Sequence, residues 1–315
     1  MIVVSDLSAV PDAARGASIA LGNFDGVHRG HAVVIAAARE AAARLGAPLA
    51  ALTFEPHPRQ VFRPDDPPFR LTLAEAKRDA LAALGVEVLV TVPFDVAFSR
   101  ITAEDFVRDI LHARLGAKAV ACGPNFHFGH RRAGTPALLA SLGAELGIGV
   151  SIVAKQEGDG GLALSSTAIR HALAEGDVAR ANAILGRRWE IRGVVQRGEA
   201  LGRTLGFPTA NIALGDHLTP RLGIYAVRVG VEDGGGGVAW HHGAASLGLR
   251  PTVNPLPAPL LEVFLFDFAG DLYGRTLRVE LAGFLRPEAK FDSLDALVAQ
   301  MRADCEAARA LLEAA

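Results

Sequence analysis

His28 and His31 stand three residues apart with Gly30 between them, in the run Gly22-Asn23-Phe24-Asp25-Gly26-Val27-His28-Arg29-Gly30-His31. The run follows a short apolar segment, Ala17 to Leu21, that reads as a buried strand. It precedes Ala32 to Leu45, whose alanine-rich composition predicts a helix. The stretch is therefore a strand-to-helix turn. Glycines at 22, 26 and 30 would let backbone approach a ligand closely, and a helix N-terminus offers unpaired N–H groups and a positive dipole end to anions. Two imidazoles projecting from one first turn could stabilise charge developing on a phosphate during transfer, without forming a covalent bond. Taken alone, the pair also fits surface histidines or a helix cap.

Other segments carry polar groups at the ends of apolar runs. Thr53-Phe54-Glu55-Pro56-His57-Pro58 ends a second predicted strand, Pro48 to Phe54, and its prolines hold Glu55 and His57 in a rigid loop at the carboxyl end. Gly123 to Gly134 follows the short strand Ala117 to Cys122. It brings Asn125, Phe126 and Phe128 together with Arg131 and Arg132, rings to stack on a flat base and cations to face phosphates. Leu164-Ser165-Ser166-Thr167-Ala168-Ile169-Arg170 opens a helix with consecutive hydroxyls, which are caps in most helices and, beside an arginine, can also bind phosphate oxygens. Thr209 and Asn211 lie two apart in Gly202-Arg203-Thr204-Leu205-Gly206-Phe207-Pro208-Thr209-Ala210-Asn211. In an extended segment their oxygens share a face and could coordinate a hard cation, most simply magnesium carried by ATP; the same residues also fit a turn. Glu262 is a lone carboxylate at the start of the apolar run Leu261 to Phe266, either a rim residue or a general base against a hydroxyl nucleophile.

These residues need a scaffold of two kinds. Up to Leu185 the chain is alanine-rich, and predicted strands alternate with helices opened at Thr72 and Thr102 and closed at Gly46 and Gly85, a pattern that gives a doubly wound parallel sheet. After Gly186, β-prone runs such as Trp189 to Gln196 and Ile224 to Val231 alternate with glycine turns, which predicts a small antiparallel barrel. Ser293 is the expected cap of a closing helix whose stripe of Leu294, Leu297, Val298, Met301, Cys305, Ala308 and Leu312 reads as core. The fold class is α/β, with domains expected at 1–185 and 186–315.

At 315 residues, half of them hydrophobic, the chain can bury two cores. Thirty-two Lys and Arg against 34 Asp and Glu give a formal charge of −2, which supplies no electrostatic case for nucleic acid or an anionic membrane as partner. Cys122 and Cys305 are too few for a disulfide framework. With no basic n-region or membrane-length apolar run, the expectation is a cytoplasmic protein, monomeric or weakly homo-oligomeric, whose partners are small molecules.

The turn at 22–31 resembles the signature of the nucleotidylyltransferase superfamily, and in its full length that of bacterial bifunctional riboflavin kinase/FAD synthetases. Gly-x-Asp/Asn-Phe-x-Phe-Gly at 123–129, Ser-Ser-Thr-x-Ile-Arg at 165–170, Pro-Thr-x-Asn at 208–211 and Gly248-Leu249-Arg250-Pro251-Thr252, Glu262, Leu272-Tyr273-Gly274 and Phe284-Leu285-Arg286 follow in the same family's order. The resemblance implies phosphorylation of riboflavin to FMN by the second domain and transfer of AMP from ATP to FMN by the first. It implies that Gly22, Asn23, Phe24, Asp25, His28, His31, Ser165, Ser166, Thr167 and Arg170 hold ATP for adenylyl transfer. Glu55, His57, Asn125, Phe126, Phe128 and Arg131 would then hold the flavin. For the kinase it implies ATP at Gly202, Arg203, Gly206, Pro208, Thr209 and Asn211, Mg2+ at Thr209 and Asn211, and flavin at Arg250 and at Glu262 as the base. Pro124, His127 and Phe264 depart from the commoner family residues. A transferase with a non-catalytic flavin-binding barrel fits less well, since Thr209, Asn211 and Glu262 are all present; a flavin-sensing regulator is separable only by assay.

Overall fold

In the computed structural model, residues 1–198, 202, 205–235, 237–250 and 258–314 are described. They form two compact units, one of residues 1–67 and 74–164 and the other of residues 68–73 and 165–315.

The first unit is built on a six-stranded sheet. Ser18–Leu21 (β2), Leu49–Glu55 (β3) and Ala119–Cys122 (β5) are buried along nearly their whole length, as parallel strands covered on both faces must be. With Ile2–Val4 (β1), Val88–Pro93 (β4) and Gly149–Ile152 (β6) they pair in the order β1-β4-β3-β2-β5-β6, every pairing parallel. Helix Arg29–Leu45 (α1) connects β2 to β3 on one side, while β5 lies on the other side of β2. The strand order therefore reverses between β2 and β5, where ligands enter open α/β sheets. The turn at 22–31 leaves the carboxyl end of β2, and the loop at 123–134 leaves that of β5.

Pro58–Phe62 (α2) is a short helix capped by His57, and Ala74–Ala83 (α3) precedes β4. Ala103–Asp105 (α4), capped by Thr102 as expected, continues as a π-helix over Phe106–Arg114. Among the elements outside the sequence expectation are β1, α2 and Pro136–Glu145 (α5). The last carries a recognisable start, with Thr135 accepting the Leu138 N–H and proline at the first position. Glu157–Gly158 (β7) and Leu162–Ala163 (β8) form a small ribbon.

In the second unit Ser166–Glu175 (α6) and Val178–Leu185 (α7) precede strands Trp189–Val194 (β9), Ala210–Ala213 (β10), Gly223–Glu232 (β11), Val238–Arg250 (β12), Ala258–Leu265 (β13) and Thr276–Arg286 (β14). The strands pair antiparallel in the order β10-β13-β12-β11-β14-β9. Just past β9, the Gln196 N–H donates to the Asn211 carbonyl of β10 at 2.8 Å, so the two edges of the sheet meet as a small barrel. Trp189, Tyr225, Val227, Leu247, Val263 and Leu281 fill it. The long stretch of the second compact unit runs from Ser165 and so includes α6 and α7. The reason is Asn182 of α7, whose amide donates to the Leu281 carbonyl and accepts from the Trp189 N–H, binding that helix to the barrel. Leu294–Glu313 (α8) is capped by Ser293 and lays Ala308 and Leu312 on Ala226, Ala244 and Phe266. Its stripe is only partly core: Leu294 is 61% exposed.

Candidate active sites

His28 occupies the N-cap of α1 with extended backbone, and its Nδ1 accepts the His31 N–H at 3.3 Å. Reciprocally, His31 Nδ1 accepts the His28 N–H at 3.3 Å, and the rings stack at 3.6 Å between centroids. The helix cap is therefore formed, by the two histidines to which the resemblance assigns phosphate contacts. A ring nitrogen that accepts an N–H carries no proton, so each ring's proton sits on Nε2, and two neutral donors are held side by side. Phe24, expected to touch ATP, is 1% exposed and meets the His31 ring edge-on at 5.2 Å, so its side chain buttresses that ring from the core. Asp25 is buried beneath the same turn. Phe24 and Val27 adopt φ of 49° and 43°, a left-handed conformation that costs a side-chain-bearing residue about 1–2 kcal/mol. Strain of this kind persists only where surrounding contacts over-determine it.

Gly30 is small for a different reason than ligand approach. A Cβ there would lie 2.8 Å from the Leu164 carbonyl oxygen and 3.1 Å from the His28 ring. Gly30→Ala is expected to push the His28 ring out of its cap and lower the rate of the adenylyl transfer to FMN that the resemblance implies at least about 100-fold, the scale of a 1 Å misplacement. Steady-state kinetics of FMN consumption would check it.

Beside this turn a cavity of about 530 Å³ opens between β3, β4 and the 123–134 loop. Asn23 lines it together with Phe62, Phe94, Phe98, Phe126 and Phe128, and Phe126 stacks on Phe128 at 5.7 Å. His57, Asn125, Arg131 and Arg132 also line it, and Arg59 and Arg63 add cations that the sequence reading did not single out. Arg131 and Arg132 hold φ of 53° and 59°, a second strained segment at the cavity wall. Glu55 does not line this cavity. Its carboxylate accepts from Lys77 at 2.7 Å, an ion pair in which the lysine is almost fully buried.

In the second unit, Ser165 caps α6 by accepting the Ala168 N–H at 3.2 Å, with Ser166 and Thr167 on the first turn. The Arg170 Nε donates to the Phe69 carbonyl at 3.0 Å, and its guanidinium lies 5.4 Å from the Phe69 ring centroid. The strand register aligns the barrel's polar groups. Asn211 of β10 pairs with Glu262 of β13, and Glu262 pairs with Ser246 of β12, forming one row across three strands. All three face a cavity of about 320 Å³, and so does Thr209. Glu262 sits mid-strand, not at a strand start, and is half-buried where it lines the cavity.

A family model for FAD synthetase matches residues 10–168, and one for riboflavin kinase matches residues 185–312. Bifunctional riboflavin kinase/FMN adenylyltransferases of Pseudomonas fluorescens and Escherichia coli K12 are 42% and 40% identical to this chain, over 94% of it and 93% of the former, and 96% of it and 94% of the latter. The chain belongs to the bifunctional riboflavin kinase/FMN adenylyltransferase family. Both enzymatic halves are present, in the order read from the sequence. A crystal structure of a Streptococcus pneumoniae protein described as a macrolide-efflux protein superposes with a TM-score of 0.84 at 31% identity, covering 98% of both chains. Among the described residues here, no helix is long and apolar enough to cross a membrane.

In this member of the riboflavin kinase/FMN adenylyltransferase family, the kinase cavity also takes in groups that the sequence left without a role. Leu297, Met301 and Cys305 of the α8 stripe line it instead of packing wholly as core. Arg286 reaches Asp304 through two hydrogen bonds of 2.8 and 2.6 Å, and Gln300 adds a third at 3.0 Å. That bidentate clamp fixes α8 to β14 at the cavity wall. Burial pushes the Cys305 thiol up to about 11, so it is a wall and not a nucleophile. Phe264, a departure from the family pattern, meets Phe207 edge-on at 5.3 Å and closes one side. Gly206 and Pro208 are exposed outside the cavity, while Gly202 lines it. Arg203 lies outside the described residues, as does the side chain of Arg250.

Proposed function

We propose that residues 186–315 phosphorylate riboflavin to FMN, and that residues 1–185 join FMN to the AMP moiety of ATP, giving FAD and pyrophosphate. The observation that carries this reading is that each compact unit holds its own cavity, the first lined by aromatic rings with Asn23, Asn125 and arginines, the second with Thr209, Asn211 and Glu262.

In the barrel, Glu262 takes the proton of the terminal ribityl hydroxyl as that oxygen bonds to the γ-phosphorus of ATP and the bond to the bridging oxygen of ADP breaks. The place of Glu262 in the Asn211–Ser246 row, in the lining of the cavity, supports that role. Thr209 and Asn211 offer the hard oxygen donors that Mg2+ prefers. The chain leaves room beside Asn211, since a Cβ on Gly198 would lie 2.5 Å from its Nδ2 and 3.0 Å from its Oδ1. Magnesium bound there with ATP would neutralise charge on the transferring phosphate.

In the first unit the FMN phosphate is already an anion, so an oxygen of it attacks the α-phosphorus without a strong base, and pyrophosphate leaves. The Nε2–H donors of His28 and His31 stabilise charge growing on the phosphate oxygens. The rings of Phe62, Phe126 and Phe128 hold the isoalloxazine, and Asn23 joins that cavity to the histidine turn. Ser165, Ser166, Thr167 and Arg170 remain the proposed triphosphate ligands of the same reaction. Two unpaired cysteines suit a reducing cytoplasm.

The test is a time course of the purified chain with riboflavin and Mg-ATP, flavins being separated by chromatography. FMN first and FAD second is the expected result. FMN without FAD would remove the adenylyl-transfer assignment, and tight flavin binding without product would replace the enzyme reading with a sensor.

A further inference from the structure

Lys77 of α3 is 1% exposed and occupies an inward position one turn before Leu81, which is itself fully buried. A lysine rarely goes into a core unless it is paired there. Its Nζ donates to Glu55 Oε1 at 2.7 Å and to Thr53 Oγ1 at 3.3 Å, and the Thr53 hydroxyl in turn donates to the Asn23 carbonyl at 3.0 Å. These contacts reach two places that matter for adenylyl transfer. Asn23 lines the aromatic cavity and immediately precedes Phe24, the first of the two strained residues of the histidine turn. Glu55 is the last residue of β3, two before His57, which enters the same cavity.

We propose that Lys77 is a positioning residue for adenylyl transfer, clamping the Asn23 carbonyl through Thr53 and the end of β3 through Glu55. It touches no substrate. The cation polarises the Thr53 hydroxyl, which strengthens that hydroxyl's bond to the Asn23 carbonyl in a site of low dielectric. The turn is thereby held in a conformation that its own side chains disfavour, with the His28 and His31 rings aimed before ATP arrives. The same ion pair takes Glu55 out of the flavin set and makes it a support for the cavity wall.

This inference rests on the adenylyl-transfer reading of the first unit, and the test separates the two. The full-length wild type, T53V, K77M and K77R are assayed for FMN to FAD, with riboflavin phosphorylation measured on each preparation as an internal control. If the wild type makes no FAD, the functional reading fails. If it does, T53V, which keeps the shape of the side chain and removes only the hydroxyl, is expected to lose about 10- to 100-fold in kcat for FAD formation. Its KM for ATP should stay within about threefold, and its kinase rate should be unchanged. K77R should recover part of what K77M loses. Wild-type kcat in T53V, an equal fractional loss in both reactions, or failure of T53V to fold would each assign the network to stability alone and overturn the proposal.

Discussion

His28→Asn is expected to abolish FAD formation while leaving FMN formation and thermal stability close to wild type. Asparagine is among the best N-cap residues, so its side-chain oxygen can take the His31 N–H that His28 Nδ1 now accepts at 3.3 Å. It has no group where the imidazole Nε2–H would reach a phosphate. Loss of one such donor typically lowers kcat by about 100- to 1,000-fold. His28→Ala removes donor and cap together, so it should show the same catalytic loss plus about 0.5–2 kcal/mol of destabilisation. Separate assays of the two reactions, with melting curves for both variants, would check this. A His28→Asn protein that retains FAD formation would leave His28 with the cap as its only role.

Glu262→Gln is the complementary case. The substitution keeps the length of the side chain and its place between Asn211 and Ser246 in the sheet, and removes the ability to accept a proton. Riboflavin phosphorylation should fall by about 100- to 10,000-fold in kcat, the usual contribution of a positioned base. FAD formation from supplied FMN should continue, because Glu262 is not among the residues proposed for adenylyl transfer and lines the barrel cavity instead. An unchanged kinase rate would take Glu262 out of the base role and leave it as a cavity wall.

The residues legible in the sequence are those whose chemistry is contiguous in the chain. The turn at 22–31 and the helix start at 165–170 each carry donors, glycines or caps within ten residues, and the alternation of strands and helices before Leu185 was enough to give the parallel sheet. Relations made by register or by long-range packing were not legible. The row Asn211, Glu262 and Ser246 exists only because three strands pair at a particular offset. The Arg286–Asp304 clamp joins residues 18 apart on a strand and a helix. Lys77, in the run Glu75-Ala76-Lys77-Arg78-Asp79, has charged neighbours that read as a solvated face, and only the fold turns it inward. The packing of the Phe24 ring against His31 and the pairing of Glu55 with the buried Lys77 are likewise relations that only the fold makes.

The allegiance of Pro68–Leu73 bears on how such a chain can be divided. This hexapeptide lies in sequence within the first half, yet it is packed in the second unit, where the Leu71 carbonyl accepts the indole N–H of the fully buried Trp189 at 2.8 Å. The backbone of Arg70 also exchanges hydrogen bonds with Asp216 and Leu218. The polypeptide thus crosses between units three times, at 67–68, 73–74 and 164–165. No single cut of the gene yields both units whole: a fragment starting at Ser165 would leave a tryptophan donor at the heart of the barrel without its acceptor. Any separation of the two units by recombination would have to transfer that hexapeptide or invent a substitute for it.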